Sequence, residues 1–241
     1  MQNKLGVTYM TKKEQYLLGV KTALPVILGI LPVAVAFAVL SEHSGLTTFE
    51  TILMSILVFA GASQIMAVGM LVAGAGILPI VIATFILNFR HVIMGTCIMN
   101  RMQTTPMWKK AMLCFGVTDE SFAIFTTTEE KNSTTYYFAG LISVTYSTWV
   151  VGTIAGCAAS QFLPALVSRS LGIALFAMFI GLVIPNIKRN MQLGFLVILT
   201  ALLNVTFNYF MPSSWAIICA TLVGAFLGVF FVKEEQEEAV E

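Results

Sequence analysis

From Thr22 to Ser41 the chain carries no charged residue, and apolar stretches of similar length follow one another almost to its C-terminal end. Such a run of about 17–25 residues is what a helix needs to cross the hydrocarbon core of a bilayer. In lipid every backbone N–H and C=O must find a partner inside the protein, which a helix provides by itself. Composition agrees: 58% of the 241 residues are hydrophobic, 10% are charged, and the mean hydropathy is +0.89. A soluble domain has about one quarter charged residues. The fold class read from the sequence is therefore all-α, a polytopic membrane protein.

Charge and cysteine usage exclude other classes. A net charge of +1 without a basic stripe gives no support for nucleic-acid binding. Cys97, Cys114, Cys157 and Cys219 stand singly in apolar runs, at no metal-ligand or redox spacing. His43 and His91 lie on different elements, and no Walker or Rossmann glycine pattern occurs. The chain reads as a non-enzyme with no cofactor, no catalytic group and no metal site. The polar lead-in is too long, and the run after it too extended, for a cleaved leader.

Residues 1–16 form a lead-in bearing Lys4, Lys12 and Lys13, expected on the cytoplasmic side by the positive-inside rule. Residues 17–232 read as one transmembrane transport domain, and 233–241 as an acidic, solvated tail. Eight apolar segments are candidates: 17–40, 50–72, 76–99, 111–126, 136–162, 170–185, 191–210 and 215–232. The expectation is seven to eight transmembrane helices with one broken or re-entrant segment. Segment one holds Pro25, Gly29 and Pro32, and reads either as a kinked structural helix or as part of a substrate path. Segments two and three, joined only through 73–75, should be antiparallel neighbours. Segment four is short and reads as a tilted span, a broken helix or a re-entrant piece. Two GxxxG spacings, Gly152 with Gly156 and Gly224 with Gly228, suit helix docking.

Orientation poses a conflict. With eight full crossings and an internal N-terminus, Arg101, Lys109 and Lys110 fall outside, against the charge rule. Either that loop is an exception, or one segment in the first half does not fully cross.

Three interruptions carry the candidate chemistry. Arg90 lies deep in segment three, where an unpaired guanidinium costs about 2.5–3.5 kcal/mol even on the mildest insertion scale. It needs a partner: a substrate carboxylate, or Asp119 or Glu120 in segment four. Phe59-Ala60-Gly61-Ala62-Ser63-Gln64 is dense in small residues. That pattern permits close helix packing with Ser63 and Gln64 as hydrogen-bond glue, or an unwound point whose amides meet a carboxylate. On the residues alone, packing is the simpler reading. Asn88 and His91 share a helix face, three residues apart. His91 could move protons near neutral pH, as could a buried carboxyl at Asp119 or Glu120. A faint echo links 60–64 with 115–119 through a glycine placed before a small hydroxyl and a polar group.

Four phrases together, Leu24-Pro25 to Leu31-Pro32, Val58 to Gln64, Asn88-Phe89-Arg90-His91 and Phe115-Gly116-Val117-Thr118-Asp119-Glu120, resemble the AzlC family of branched-chain amino acid exporter subunits. The resemblance runs from Gly19 to the last apolar segment. Ile65 and Pro32-Val33-Ala34 depart from it, where phenylalanine after the glutamine and Pro-Phe-Gly are common. It implies a plasma-membrane protein that exports leucine, isoleucine, valine and in some members methionine, coupled to an ion gradient, with a small AzlD-type membrane subunit as partner. On this reading Gly61, Ser63, Gln64, Asn88 and Arg90 bind substrate, and Asp119, Glu120 and His91 serve proton coupling. Competing readings from the residues are a channel or facilitator for a small solute and a non-transporting membrane scaffold.

Overall fold

The computed structural model describes residues 10–102, 105–128, 134–160, 162, 180, 183–184, 187–188 and 190–231. Segment six lies almost wholly outside the described residues, and the acidic tail entirely so. All regular structure among the described residues is helical. Among the described residues, four helical stretches are long and apolar enough to cross a membrane: Lys12–His43, Ile77–Arg101, Thr135–Ser160 and Met191–Asn208. Shorter apolar helices cover Thr48–Leu57, Gly61–Val72 and Trp215–Phe230. Contacts group the chain into two compact units, Met1–Gly69 with Leu87–Ala174, and Met70–Ile86 with Leu175–Glu241.

In the first unit the longest helix, α8 (Thr135–Ser160), acts as the axis. At about 1.5 Å per residue it is some 39 Å long, enough to cross a bilayer core of about 30 Å. Segment one lies parallel to it, as α1 (Lys12–Ala23), a 3-10 turn at Leu24–Val26 that accommodates Pro25, and α2 (Ile27–His43). α1 begins earlier than hydropathy suggests because Thr11 and Glu14 form a reciprocal capping box. The seam with α8 is built from small residues. A Cβ on Gly19 would lie 2.0 Å from the Tyr137 carbonyl oxygen, and one on Gly140 2.2 Å from that of Tyr16. Further along, Gly152 rests on Ala34 and Gly156 on Ala38, so this GxxxG pair does dock a helix. At the far end Ser160 donates to Glu42.

The sequence predicts one broken or re-entrant segment, with segment four the candidate; segments two and four are both interrupted. α3 (Thr48–Leu57) starts beside Glu42, which accepts from Thr48 Oγ1 at 2.5 Å, and runs antiparallel to α8. Ser55 meets Thr153 at 2.8 Å, and the Ile56 carbonyl accepts from the Tyr146 hydroxyl at 2.9 Å. Tyr146 is eleven residues into α8, so α3 stops near the middle of that helix. The chain then turns at Phe59, with φ +45°, and starts again as α4 (Gly61–Val72).

α5 (Ile77–Arg101) follows as one unbroken helix. Asn88 Nδ2 donates to Ser63 Oγ at 3.0 Å. This bond ties α4 to α5 within the first unit. The end of α5 returns to the start of α8, where Met94, Ile98 and Met102 join Tyr137, Phe138 and Leu141 in the core.

Segment four then repeats the plan upside down. α6 (Met107–Cys114) climbs alongside α5, with Lys110 Nζ on the Met99 carbonyl at 2.8 Å and Cys114 Sγ 3.7 Å from that of Gly95. It breaks over residues 115–118 and comes back as α7 (Asp119–Thr127). Phe125 packs edge-on to Phe138 at 4.9 Å, and Arg101 Nη1 donates to the Phe125 carbonyl at 3.1 Å. Two helical hairpins thus approach the middle of α8 from its opposite ends.

The second unit contains α9 (Met191–Asn208) and α10 (Ser213–Phe231). Gly224 faces Thr200 and Gly228 faces Leu196, the antiparallel docking expected of the second GxxxG pair.

Candidate functional site

The first break is stabilised by its own polar residues. Gln64 is fully buried, and its Oε1 accepts the Ala60 N–H at 3.1 Å while its Nε2 donates to Ser55 at 3.4 Å. Ser63 Oγ donates to the Ala60 carbonyl at 2.9 Å. These bonds satisfy groups that an interrupted helix would leave bare in an apolar interior. A positive φ at a bulky residue such as Phe59 is strained by about 1–3 kcal/mol. Its ring stacks edge-on against Tyr146 at 4.9 Å. Gly61 is required by space, since a Cβ there would lie 2.5 Å from the Trp149 ring. The packing reading and the unwinding reading of residues 59–64 are both realised: the helix unwinds, and Ser63 and Gln64 hold the break together.

The second break uses a different device. Thr118 and Ser121 form a capping box, with the Ser121 N–H 3.2 Å from Thr118 Oγ1 and the Thr118 N–H 2.9 Å from Ser121 Oγ. Asp119 and Glu120 occupy the first turn of α7, where the helix dipole favours negative charge. Gly116 packs on Ile142. A cavity of about 220 Å³ beside this break is lined by Met112, Phe115, Gly116, Ile142, Ser143 and Tyr146.

α5 supplies the residues that both breaks meet. Arg90 Nη1 bonds Asp119 Oδ2 at 2.9 Å, so of the two acidic candidates Asp119 is the partner. The side chains keep 37% and 34% of their surface free of contact with the rest of the chain, so the pair is only half enclosed by this protein. Asn88 faces the first hairpin through Ser63, while Arg90, two positions on, faces the second. His91 Nδ1 donates to the Asn88 carbonyl at 3.2 Å, a bond local to the helix. Asn88 Oδ1 and Arg90 Nε are buried without a hydrogen-bond partner among the described residues. The arrangement therefore offers a guanidinium fork held by one exchangeable carboxylate, an orphan acceptor and an orphan donor. It also offers the first amides of α4, which have no intrahelical partner.

Of the sequence candidates, Gly61, Ser63, Gln64, Asn88, Arg90, His91, Asp119 and Glu120 all lie at the two breaks or on the part of α5 they face. Sequence reasoning missed the residues that buttress them. Tyr146 touches both breaks, through Phe59 and Phe115, and Trp149 packs on Gly61 and Phe37. Ser55 and Thr153 complete the Gln64 network. The aromatic pair three apart on one face of segment five, and the Thr-x-x-Ser cap at 118–121, are the signals that pointed there.

The family model for AzlC protein matches residues 25–163, which span both hairpins, α5 and α8. The chain belongs to the AzlC family. Inner membrane protein YgaZ of Escherichia coli is 30% identical over 183 residues, covering 73% of this chain and 74% of that protein. An uncharacterized membrane protein of Archaeoglobus fulgidus is 30% identical over 225 residues, covering 90% and 96%. The branched-chain amino acid transport protein AzlC of Bacillus subtilis is 26% identical over 155 residues, covering 62% and 61%. No solved structure matches this AzlC-family chain.

Proposed function

We propose that this AzlC-family protein is the transporting subunit of an exporter of branched-chain amino acids, driven by the proton gradient across the plasma membrane. Residues 17–232 form its transport domain, the N-terminus is cytoplasmic, and a small AzlD-type membrane subunit completes the complex. The observation that carries this reading is the half-exposed Arg90–Asp119 pair, set against two interrupted helices. A substrate carboxylate takes the Arg90 fork in place of Asp119, a bidentate match that lysine does not reproduce. The released Asp119 accepts the coupling proton, with Glu120 and His91 beside it. Gly61 and Asn88 border the approach from the first break, and the buried Ser63 and Gln64 hold that break in shape. The name of the Bacillus subtilis relative supports the substrate class.

The test is efflux of labelled leucine, valine and methionine from loaded cells, with and without the small subunit. Arg90→Ala and Arg90→Lys should each slow efflux at least about tenfold, on the order of 1.4 kcal/mol of lost transition-state binding. Normal efflux by a folded Arg90→Ala protein would end the substrate role. Collapse of the proton gradient should stop export; efflux that persists is the behaviour of a facilitator.

A further inference from the structure

The ends of α8 define two faces of the first unit, and side-chain contacts fix which face each neighbouring element reaches. α2 ends at the finish of α8, through Glu42 and Ser160. α5 ends at the start of α8, in the cluster with Tyr137 and Phe138. Two apolar segments, 50–72 and 76–99, connect these points. Had both crossed, the chain would have come back to the face it left. One of them does not cross. α5 is unbroken over 25 residues, about 37 Å, whereas segment two is interrupted after the ten residues of α3.

The same parity holds for segment four. It alone connects the end of α5 to the start of α8, and both lie on one face. Arg101 reaches the Phe125 carbonyl, Thr105 bonds Thr135, and Thr128 Oγ1 lies 3.0 Å from the Tyr137 hydroxyl. A segment that begins and ends on one face has not crossed.

We propose that both hairpins are half-membrane re-entrant loops, α3–α4 entering from the external face and α6–α7 from the cytoplasmic face. Residues 12–160 then cross three times, through α1–α2, α5 and α8. The charges sort accordingly. Lys12, Lys13, Arg101, Lys109 and Lys110 share the face at the start of α8, while Glu42, His43 and Glu50 lie at the other. The conflict with the positive-inside rule disappears once segment two stops short of crossing. Irregular backbone at membrane depth is tolerated where protein buries it or water reaches it, and the half-helix starts then meet at mid-depth from opposite sides. Ser63 on Asn88 terminates the external loop and Asp119 on Arg90 the cytoplasmic one. This topology does not depend on what is transported.

Cysteine accessibility tests it in the full chain, with Cys97, Cys114, Cys157 and Cys219 replaced by alanine. Single variants Phe49→Cys, Ala73→Cys, Met107→Cys and Thr127→Cys are exposed in intact cells to a membrane-impermeant thiol reagent, then again after permeabilisation. Phe49→Cys and Ala73→Cys should react in intact cells, and Met107→Cys and Thr127→Cys only in permeabilised ones. Five full crossings require the reverse at positions 73 and 107, with 49 and 127 unchanged, and that result overturns the proposal. Reversal at only one of the two overturns the corresponding hairpin, and reversal at all four overturns the sidedness. Leu78→Cys and Trp108→Cys repeat the two decisive readings if either first variant fails to accumulate.

Discussion

The two hairpins interrupt their helices at similar phrases, one led by Phe59 and one by Phe115, yet they are secured in different ways. The first is neutral and enclosed: Ser63 is 1% exposed, Gln64 fully buried, and both are spent on backbone groups, the Ser55 hydroxyl and the Asn88 amide. The second is acidic and accessible, capped by Thr118 and held to α5 by a half-exposed ion pair. Buried networks fix a conformation because opening them strands polar groups, whereas a half-enclosed ion pair can pass its arginine to another carboxylate without leaving the charge unpaired. The contrast assigns anchoring to the first hairpin and exchange to the second.

That contrast can be broken by substitution, with thermal unfolding of the purified protein as the measure. The largest loss is expected from Gln64→Ala, which strands the Ala60 N–H at about 1–3 kcal/mol and removes the bond to Ser55, whose hydroxyl keeps Thr153. Gly61→Ala comes next, at about 1–3 kcal/mol, because the rigid Trp149 ring fills the space a methyl would need. Gly116→Ala should cost less, since its Cβ would meet the Ile142 Cβ at 2.9 Å, a smaller overlap than the 2.5 Å approach at Gly61. Thr118→Ala, losing one cap, should cost about 1 kcal/mol. Asp119→Asn keeps an oxygen for the Arg90 fork but no charge, so it should lower the unfolding midpoint less than Gln64→Ala and reduce efflux most severely. If Asp119→Asn unfolds the protein as readily as Gln64→Ala does, the division between anchor and exchanger fails.

Much of the fold was legible because hydropathy responds directly to burial in lipid. Segments one, three, five, seven and eight appear as helices within a few residues of their apolar limits. The small shifts at their starts follow caps, such as Thr11 with Glu14, that hydropathy ignores. Arg90 was legible as well, since a cation at that depth is costly wherever the helix packs. Residues 59–64 were harder. Small residues serve close packing and unwinding alike, and the choice depends on Tyr146, Trp149 and Thr153, roughly ninety residues further along the chain.

By itself, then, the sequence determined that the chain is a helical membrane protein with a deep arginine and acids able to answer it, and it left residues 59–64 open between packing and unwinding. Tertiary structure alone decided that Asp119 rather than Glu120 makes the pair, that both interrupted segments double back, and that Tyr146 joins them. The physical reason is the range of the interactions. Helix formation and transfer into lipid depend on neighbours along the chain. The direction of a half-helix depends on which distant surface receives it, and here that surface is α8.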